Sequence, residues 1–155
     1  MSIETGVVIN LQGEPIFWHL PDNRSTGYIP DSRALWDVLW ENRDNLLGFA
    51  HSHPGAGHPY PSHEDLTTFS AVEAGLGRRL LWWIMNKTSV AVYSWVGPGL
   101  YDYRVKSDRE AKYASEDSSI QQELSWLAKL HSLSYLTNVG SPAMGYMNVD
   151  LGVDR

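Results

Sequence analysis

The segment Gly48-Phe49-Ala50-His51-Ser52-His53-Pro54 decides how the rest of the chain is interpreted. It continues an apolar run and ends in polar residues before a Gly/Pro-rich loop, which is typical of a buried strand. Because side chains alternate along a strand, His51 and His53 are expected on one face, with Leu47 and Phe49 forming an apolar floor further back. Two imidazoles on one face at a strand end are natural ligands for zinc, although solvated histidines would give the same sequence.

A second polar motif, Pro61-Ser62-His63-Glu64-Asp65-Leu66, follows the loop over 54–61. It places a hydroxyl and a carboxylate three residues apart at the predicted start of a helix, where positions i and i+3 lie on one face. Taken alone, the motif favours helix capping, because Ser at the N-cap with an acid three residues later resembles a capping box. Taken with the two histidines, Ser62 and Asp65 complete a compound pattern that chance rarely produces.

The composition limits the chemistry that such a site can use. The chain has 155 residues, 43% of them hydrophobic, with seven Trp, eight Tyr and three Phe, which suits one domain with a proper core and excludes whole-chain disorder. It contains no Cys, which excludes disulfides, thiol nucleophiles, iron–sulfur clusters and zinc sites built on sulfur. A metal site in this protein must therefore use His, Asp and Glu.

Charge and hydropathy disfavour nucleic acid and membrane as partners. The formal net charge is −6 and the densest basic pair is Arg78-Arg79, whereas a nucleic-acid-binding protein usually presents a basic face. The longest apolar run, over 80–85, is far shorter than the roughly 18 residues that a membrane span needs. The first residues lack the features of a signal peptide, so we expect a cytoplasmic location.

Hydrophobic periodicity and turn residues predict an α/β chain whose strands are mostly antiparallel hairpins flanked by helices. Six strands are predicted, over 5–10, 15–20, 46–53, 79–86, 89–95 and 101–105, the last followed by a polar stretch. Three helices are predicted, over 33–44, from Pro61-Ser62 to Gly75 or Gly77, and over 117–134. We expect a single domain over 1–136 and a Gly/Asn-rich tail over 137–155.

Several aromatic residues and histidines receive structural interpretations rather than functional ones. His58 and His63 flank the predicted site and could contact substrate or an extra metal, but they are expected to be solvated loop histidines. Ser52 is expected to brace its strand. Some Trp residues fall on apolar faces of the predicted elements and are expected in the core: Trp36, Trp40, Trp82, Trp83 and Trp126.

The compound pattern resembles the motif of the JAMM metallopeptidase family, also called MPN-plus or JAB. That motif has a Glu, then His-Ser/Thr-His, usually followed by Pro, then seven residues and Ser-x-x-Asp. This chain has His51-Ser52-His53-Pro54 and later Ser62-His63-Glu64-Asp65, and the resemblance covers roughly residues 3–105, including the order of strands and helices. By resemblance, the fold would be the cytidine-deaminase-like α/β sandwich of that family.

One departure from the family's pattern concerns the third metal ligand. Eight residues, 54–61, separate His53 from Ser62, where the family usually has seven. Counting from His53 points to Glu64, whereas counting from Ser62 points to Asp65. We favour Asp65, because a Gly/Pro-rich loop can absorb an extra residue while the Ser-to-Asp spacing is fixed by helix geometry.

We choose Glu4, which directly precedes the first strand, as the match to the family's upstream Glu, and Glu14 stays open as the alternative. Glu14 lies in the predicted hairpin turn, which would point it at solvent. Glu41 lies on a helix and is too close in sequence to the histidine strand.

The resemblance implies a set of roles for these residues. His51, His53 and Asp65 would hold Zn²⁺ and leave a fourth position for water, Glu4 would be the general base, and Ser62 would donate a hydrogen bond to the oxyanion. The implied substrate is a peptide or isopeptide bond near the C-terminus of a ubiquitin-like or sulfur-carrier-like protein. Two alternatives stay open: a metal-free scaffold of the same fold, which the intact ligands disfavour, and a nucleic-acid-associated member, which the net charge disfavours.

Overall fold

The computed structural model describes residues 5–20, 33–110 and 118–135, with side chains from 121 onward in the last range. Glu4 and the predicted tail over 137–155 lie outside these ranges. The elements in chain order are β1 (Gly6–Asn10), β2 (Pro15–His19), α1 (Arg33–Glu41), a 3-10 helix (Arg43–Asn45), β3 (Leu46–Ser52), α2 (His63–Leu76), β4 (Leu81–Met85), β5 (Ser89–Trp95), β6 (Tyr103–Glu110) and α3 (Ser118–Tyr135). None of the helices described is long and apolar enough to cross a membrane.

The six strands form one sheet in the order β2-β1-β3-β4-β5-β6. Neighbouring strands are antiparallel except β3 and β4, which are parallel and are connected through α2. The predicted α/β fold with a mostly antiparallel sheet is therefore confirmed. The register sets Gly6 on β1 opposite His51 on β3, so the beginning of β1 lies at the histidine end of the sheet.

Helices cover both faces of the sheet, and each face has its own core. Helices α1 and α2 pack on one face through Leu39 and Phe69, against strand residues that include Phe49 and Trp82. Helix α3 packs on the other face, and its buried residues recur at helical spacing: Trp126, Leu127, Leu130 and Leu133. The histidine motif lies at the end of the central strand β3, between these two layers.

Helix α2 begins and ends at residues whose local chemistry favours those positions. Ser62 is its N-cap, and Gly77 is its C-cap with a φ of 73°, a left-handed conformation that Gly adopts without steric cost. The N–H of Gly77 donates to the carbonyl of Glu73 at 2.9 Å. The predicted start at Pro61-Ser62 and the predicted end near Gly77 are confirmed.

The expectation that Leu47 shares the floor of the site with Phe49 is wrong. Ile9 of β1 pairs with Gly48, but the next residue of β1 pairs with Leu46, so the register shifts by one residue. Such a bulge interrupts the alternation of side chains. Leu46 and Phe49 consequently belong to the α1 and α2 core, whereas Leu47 packs against the α3 core.

Strand β6 is longer than the sequence indicates. It runs to Glu110, whereas the predicted strand ends at Val105 and a polar stretch follows it. The strand lies at the edge of the sheet beside β5, and most of its residues are exposed. An edge strand is held by backbone hydrogen bonds to its neighbour and tolerates polar side chains, so hydrophobic patterning does not reveal it.

Trp36 and Trp40 on α1 are not core residues, contrary to the prediction. They are 37% and 44% exposed, and their rings stack on each other with centroids 6.3 Å apart. Leu35 and Leu39 take the inward side of this helix. Each Trp follows one of them by a single residue and is therefore turned by about 100° around the helix axis. The other Trp residues predicted in the core are buried: Trp82, Trp83 and Trp126.

Candidate metal centre

Three side chains meet where β3 ends and α2 begins. His51 is the second-last residue of β3, and His53 directly follows the end of that strand. Asp65 lies in the first turn of α2. The two Nε2 atoms are 3.0 Å apart; Asp65 Oδ1 lies 3.2 Å from His51 Nε2, and Oδ2 lies 2.9 Å from His53 Nε2. One ligand atom from each residue lies within 4.8 Å of the other two, so the group could hold a metal ion.

The separations of these atoms fit the coordination sphere of a small cation. Zinc binds imidazole nitrogen and carboxylate oxygen at about 2.0–2.2 Å in tetrahedral geometry, which places two ligand atoms on one ion about 3.3 Å apart. The two imidazole nitrogens are 3.0 Å apart, which is close to that value, and each lies within 3.2 Å of one Asp65 oxygen, Oδ1 for His51 and Oδ2 for His53. The two imidazole nitrogens and the carboxylate oxygens face one another, and a cation between them would stabilise this arrangement. A donor set of two nitrogens and one carboxylate therefore suits zinc.

Aromatic side chains form the floor beneath His51. Phe49, two residues earlier on β3, stacks on its ring with centroids 6.3 Å apart, and Phe69 of α2 contacts it edge-on at 6.2 Å. Gly6 leaves space for this arrangement, because a Cβ there would lie 2.2 Å from the Phe49 ring. His51 is buried as a result, while 17% of the His53 side chain is exposed. The site is apolar on the sheet side and reaches solvent on the His53 side.

Asp65 is held in position by the first turn of α2. The N–H of Ser62 donates to Asp65 Oδ2 at 2.9 Å, and the N–H of Asp65 donates to Ser62 Oγ at 3.0 Å, which is a capping box. Burial alone would raise the pKa of Asp65, but hydrogen bonds from His51 and His53 and their positive charges outweigh it and hold the pKa well below its usual range. The structure brings this carboxylate to the histidines, whereas Glu64 is exposed and outside the cluster.

The start of β1 is tied to the histidine end of β3. Ser52 Oγ accepts a hydrogen bond from the N–H of Thr5 at 3.0 Å, and the N–H of Ser52 donates to the carbonyl of Thr5 at 3.0 Å. Ser52 is buried, in agreement with the bracing role expected for it. Glu4 directly precedes Thr5 in the sequence but lies outside the described residues.

The other two acids considered as the upstream Glu lie away from the cluster. Glu14 is exposed in the β1–β2 turn and accepts a hydrogen bond from Asn10 Nδ2 at 3.0 Å. Asn10 pairs with Leu46, at the opposite end of β3 from the histidines. Glu41 is the last residue of α1 and is not in the cluster.

The loop over 54–61 contains the extra residue between the two halves of the motif. Gly55 and Gly57 adopt left-handed conformations, with φ of 99° and 87°. The N–H of Gly57 donates to Thr88 Oγ at 3.0 Å, and its carbonyl accepts from Asn86 Nδ2 at 2.8 Å. These bonds anchor the loop to the β4–β5 turn, and the capping box of Ser62 and Asp65 is intact at the end of this loop.

His58 is not a solvated loop residue, contrary to the expectation. Its Nε2 lies 3.0 Å from the hydroxyl of Tyr93, and its Nδ1 lies 3.6 Å from the carboxylate of Asp108. The Tyr93 hydroxyl donates to the carbonyl of Pro59 at 2.8 Å. Burial, followed by neighbouring acidic groups, raises the pKa of Tyr93 to about 12, so this donor stays protonated. His58 thus fastens the loop to β5 and β6, while His63 is exposed as expected.

Tyr135, which the sequence analysis did not single out, supports the site from the opposite face of the sheet. It is the last residue of α3, and its hydroxyl donates to the carbonyls of His53 and Met85. The N–H of His53 also donates to the Met85 carbonyl, at 2.7 Å. The backbone at the second histidine is therefore held by both a neighbouring strand and α3. The only signal in the sequence is the position of Tyr135 at the end of an apolar helical stripe.

Glu73 is a second buried group that the sequence analysis missed. It lies on α2, is 3% exposed, and accepts hydrogen bonds from the N–H of Leu80 and the indole of Trp82, each at 2.9 Å. Arg79 and the hydroxyl of Tyr103 also donate to it. Burial and the bond to Glu73 raise the pKa of Tyr103 above its ordinary value. Glu73 therefore joins α2 to β4 and β6 and has a structural role.

The six-stranded α/β fold and the His-His-Asp cluster define a domain of the JAB/MPN type. Residues 5–96, more than half of the chain, match the family described as prokaryotic homologs of the JAB domain, and the chain belongs to that family. The comparison with curated proteins gave no significant match. The family resemblance carried by the two motifs is thereby confirmed.

Proposed function

We propose that the protein is a zinc-dependent metallopeptidase or isopeptidase that hydrolyses a bond near the C-terminus of a ubiquitin-like or sulfur-carrier-like protein. The observation that carries this proposal is the convergence of His51, His53 and Asp65, whose ligand atoms lie within 4.8 Å of one another. Membership of the JAB family supports the reaction class. The substrate class rests on the family resemblance alone, and the cytoplasmic location stays a prediction.

Each functional residue of the chain has a separate task in this reaction. When bound, zinc supplies a nucleophilic water near neutral pH and polarises the scissile carbonyl. His51, His53 and Asp65 would hold the ion through three protein ligands. Glu4 would accept the proton of the attacking water and deliver it to the leaving amine.

Ser62 is suited to stabilise the oxyanion that develops during the attack. Its Oγ accepts the hydrogen bond from the N–H of Asp65, and no residue in the described part of the chain accepts the hydroxyl hydrogen. The side chain is exposed beside the cluster. The hydroxyl hydrogen is therefore available for a negatively charged oxygen at the site.

Metal content and hydrolysis of a defined fusion protein test the proposal together. Protein purified without chelator should contain about one zinc per chain. It should cleave a ubiquitin-like protein fused to a short C-terminal extension, lose this activity with chelator and regain it with zinc. A zinc content below a tenth of an equivalent, with no uptake on addition, would contradict the proposal and favour the metal-free scaffold.

A further inference from the structure

A cleft of about 700 Å³ lies between α1 and α2 on one face of the sheet. Its lining is mainly apolar and comes from both helices and from the sheet: Leu35, Trp36, Ala71, Val72, Phe49 and Trp82. The volume lies within the range of about 300–1,000 Å³ that is usual for ligand sites. An apolar cleft of this size would bind an apolar segment better than a polar one.

The cleft and the candidate metal centre are neighbours that both contact Phe49. Phe49 lines the cleft, and the same ring stacks on His51 with centroids 6.3 Å apart. Thr68 also lines the cleft and follows Asp65 by three residues, so the two lie on one face of α2. The floor of the metal centre and the near end of the cleft therefore share a residue.

The wall formed by Trp36 is supported by contacts with both helices. Its ring stacks on Trp40, and its far edge packs against Gly75 of α2, where a Cβ would lie 2.9 Å from Trp36 Cη2. The side chain nevertheless remains 37% exposed. A partly exposed aromatic wall that already has packing partners offers apolar surface at a reduced cost in conformational entropy.

The distance from the metal centre to the cleft can be expressed in residues of a bound peptide. Phe49 precedes His51 by two strand residues, or about 6.6 Å. Ala71 follows Asp65 by six helical residues, or about 9 Å. An extended peptide advances about 3.3 Å per residue, so the cleft lies two or three residues from a bond held at the metal centre.

We propose that this cleft binds a bulky apolar side chain of the polypeptide substrate, two or three residues from the scissile bond. The inference rests on the proposed function and adds a specificity determinant to it. Transfer of such a side chain from water into an apolar cleft corresponds to a preference of roughly tenfold to a hundredfold over a small polar residue.

A scan of the substrate tests this inference. In the fusion protein, each of the four positions on either side of the cleaved bond is changed in turn to Phe or to Ser, and kcat/KM is measured. We expect a preference for Phe of roughly tenfold or more at one position two or three residues from the bond. No preference at any such position would overturn the inference.

A matched pair of enzyme variants identifies the cleft as the origin of the preference. Ala71 and Ala74 are both exposed on α2, but of the two only Ala71 lines the cleft. Ala71→Phe should fill the cleft and abolish the preference, whereas Ala74→Phe should retain it. Trp36→Ala, which removes one wall of the cleft, should also abolish the preference. Retention of the preference in both Ala71→Phe and Trp36→Ala would overturn the inference.

A binding measurement separates this inference from the proposed hydrolysis. If no fusion is cleaved, the proposed function fails, and the cleft is tested with the chelator-treated protein. A Gly/Ser decapeptide with two adjacent Phe residues should shift the indole N–H resonance of Trp36, while the matching peptide with Ser should not. The shift should be absent in Ala71→Phe and present in Ala74→Phe. A wild-type spectrum that the Phe peptide leaves unchanged would overturn the inference.

Discussion

Gly6 at the start of β1 lies directly opposite His51 on β3. This register places the beginning of the first strand, and not its end, beside the candidate metal centre. Thr5 continues the contact through its hydrogen bonds with Ser52. A carboxylate supplied from just before β1 therefore has a short path to the cluster, whereas one supplied from the β1–β2 turn does not.

We predict that Glu4→Gln lowers peptide hydrolysis by roughly 10²–10⁴, the usual contribution of general acid–base catalysis, and leaves the zinc content unchanged. The general base acts on water and is not a metal ligand, so metal binding should be independent of it. Glu14→Gln is the control, because Glu14 is exposed at the far end of β1. Normal turnover in Glu4→Gln, with an inactive and zinc-loaded Glu14→Gln, would assign the base to Glu14.

Asp65→Asn should lose zinc, while the neighbouring Glu64→Gln should keep it. Replacing residues that only orient a ligand typically costs 10–100-fold in metal affinity, so loss of a ligand should cost roughly 100-fold or more. Competition against a chromophoric chelator measures both affinities. Loss of zinc in Glu64→Gln alone would show that the extra loop residue had been placed wrongly.

Ser62→Ala tests two roles of one hydroxyl. Loss of the N-cap should lower the free energy of unfolding by about 1 kcal/mol. Loss of the oxyanion donor should lower kcat by roughly 10²–10³. Ser62→Thr keeps a hydroxyl and a good N-cap, so its free energy of unfolding and its kcat should both be close to those of the wild type. Equal kcat values for Ser62→Ala and the wild type, at full zinc content, would limit Ser62 to capping.

Glu73→Gln should destabilise the protein without changing its zinc affinity. The substitution removes the charge that accepts hydrogen bonds from Trp82 and Tyr103, and such charge-assisted bonds contribute about 1.5–3 kcal/mol. Urea unfolding measures the change, and the exposed Glu64→Gln should stay within about 0.5 kcal/mol of the wild type. A change as small as this in Glu73→Gln would disprove its structural role.

The low pKa of Asp65 makes the stability of the metal-free protein depend on pH. Its folded pKa lies below the value of about 3.9 for an unfolded Asp, so its contribution is present above that pH and is lost as the pH falls. The difference in unfolding free energy between the wild type and Asp65→Asn should therefore shrink from about pH 6 to about pH 3. Urea titrations with chelator present measure this difference, and a constant value would contradict the prediction.

The sequence predicted correctly those features that are determined by a few neighbouring residues. The His-x-His strand, the N-cap at Ser62 and the β4–β5 turn, where Asn86 Oδ1 accepts from two backbone N–H groups, can be recognised from a few neighbouring residues. The bulge at Leu47 could not be predicted, because it depends on how β1 pairs with β3. Glu73 was missed for a similar reason, since its partner Tyr103 is 30 residues away.

The polar edge strand β6 also affects how the protein behaves at high concentration. The outer edge of such a strand can pair with a strand from another molecule, and long apolar edges promote fibrous aggregation. On β6 the exposed positions carry charges of both signs, including Arg104, Lys106 and Asp108. Pairing would remove water from these side chains without burying apolar surface. The polar residues that made β6 hard to predict from the sequence therefore also disfavour pairing of this edge with a strand of another molecule.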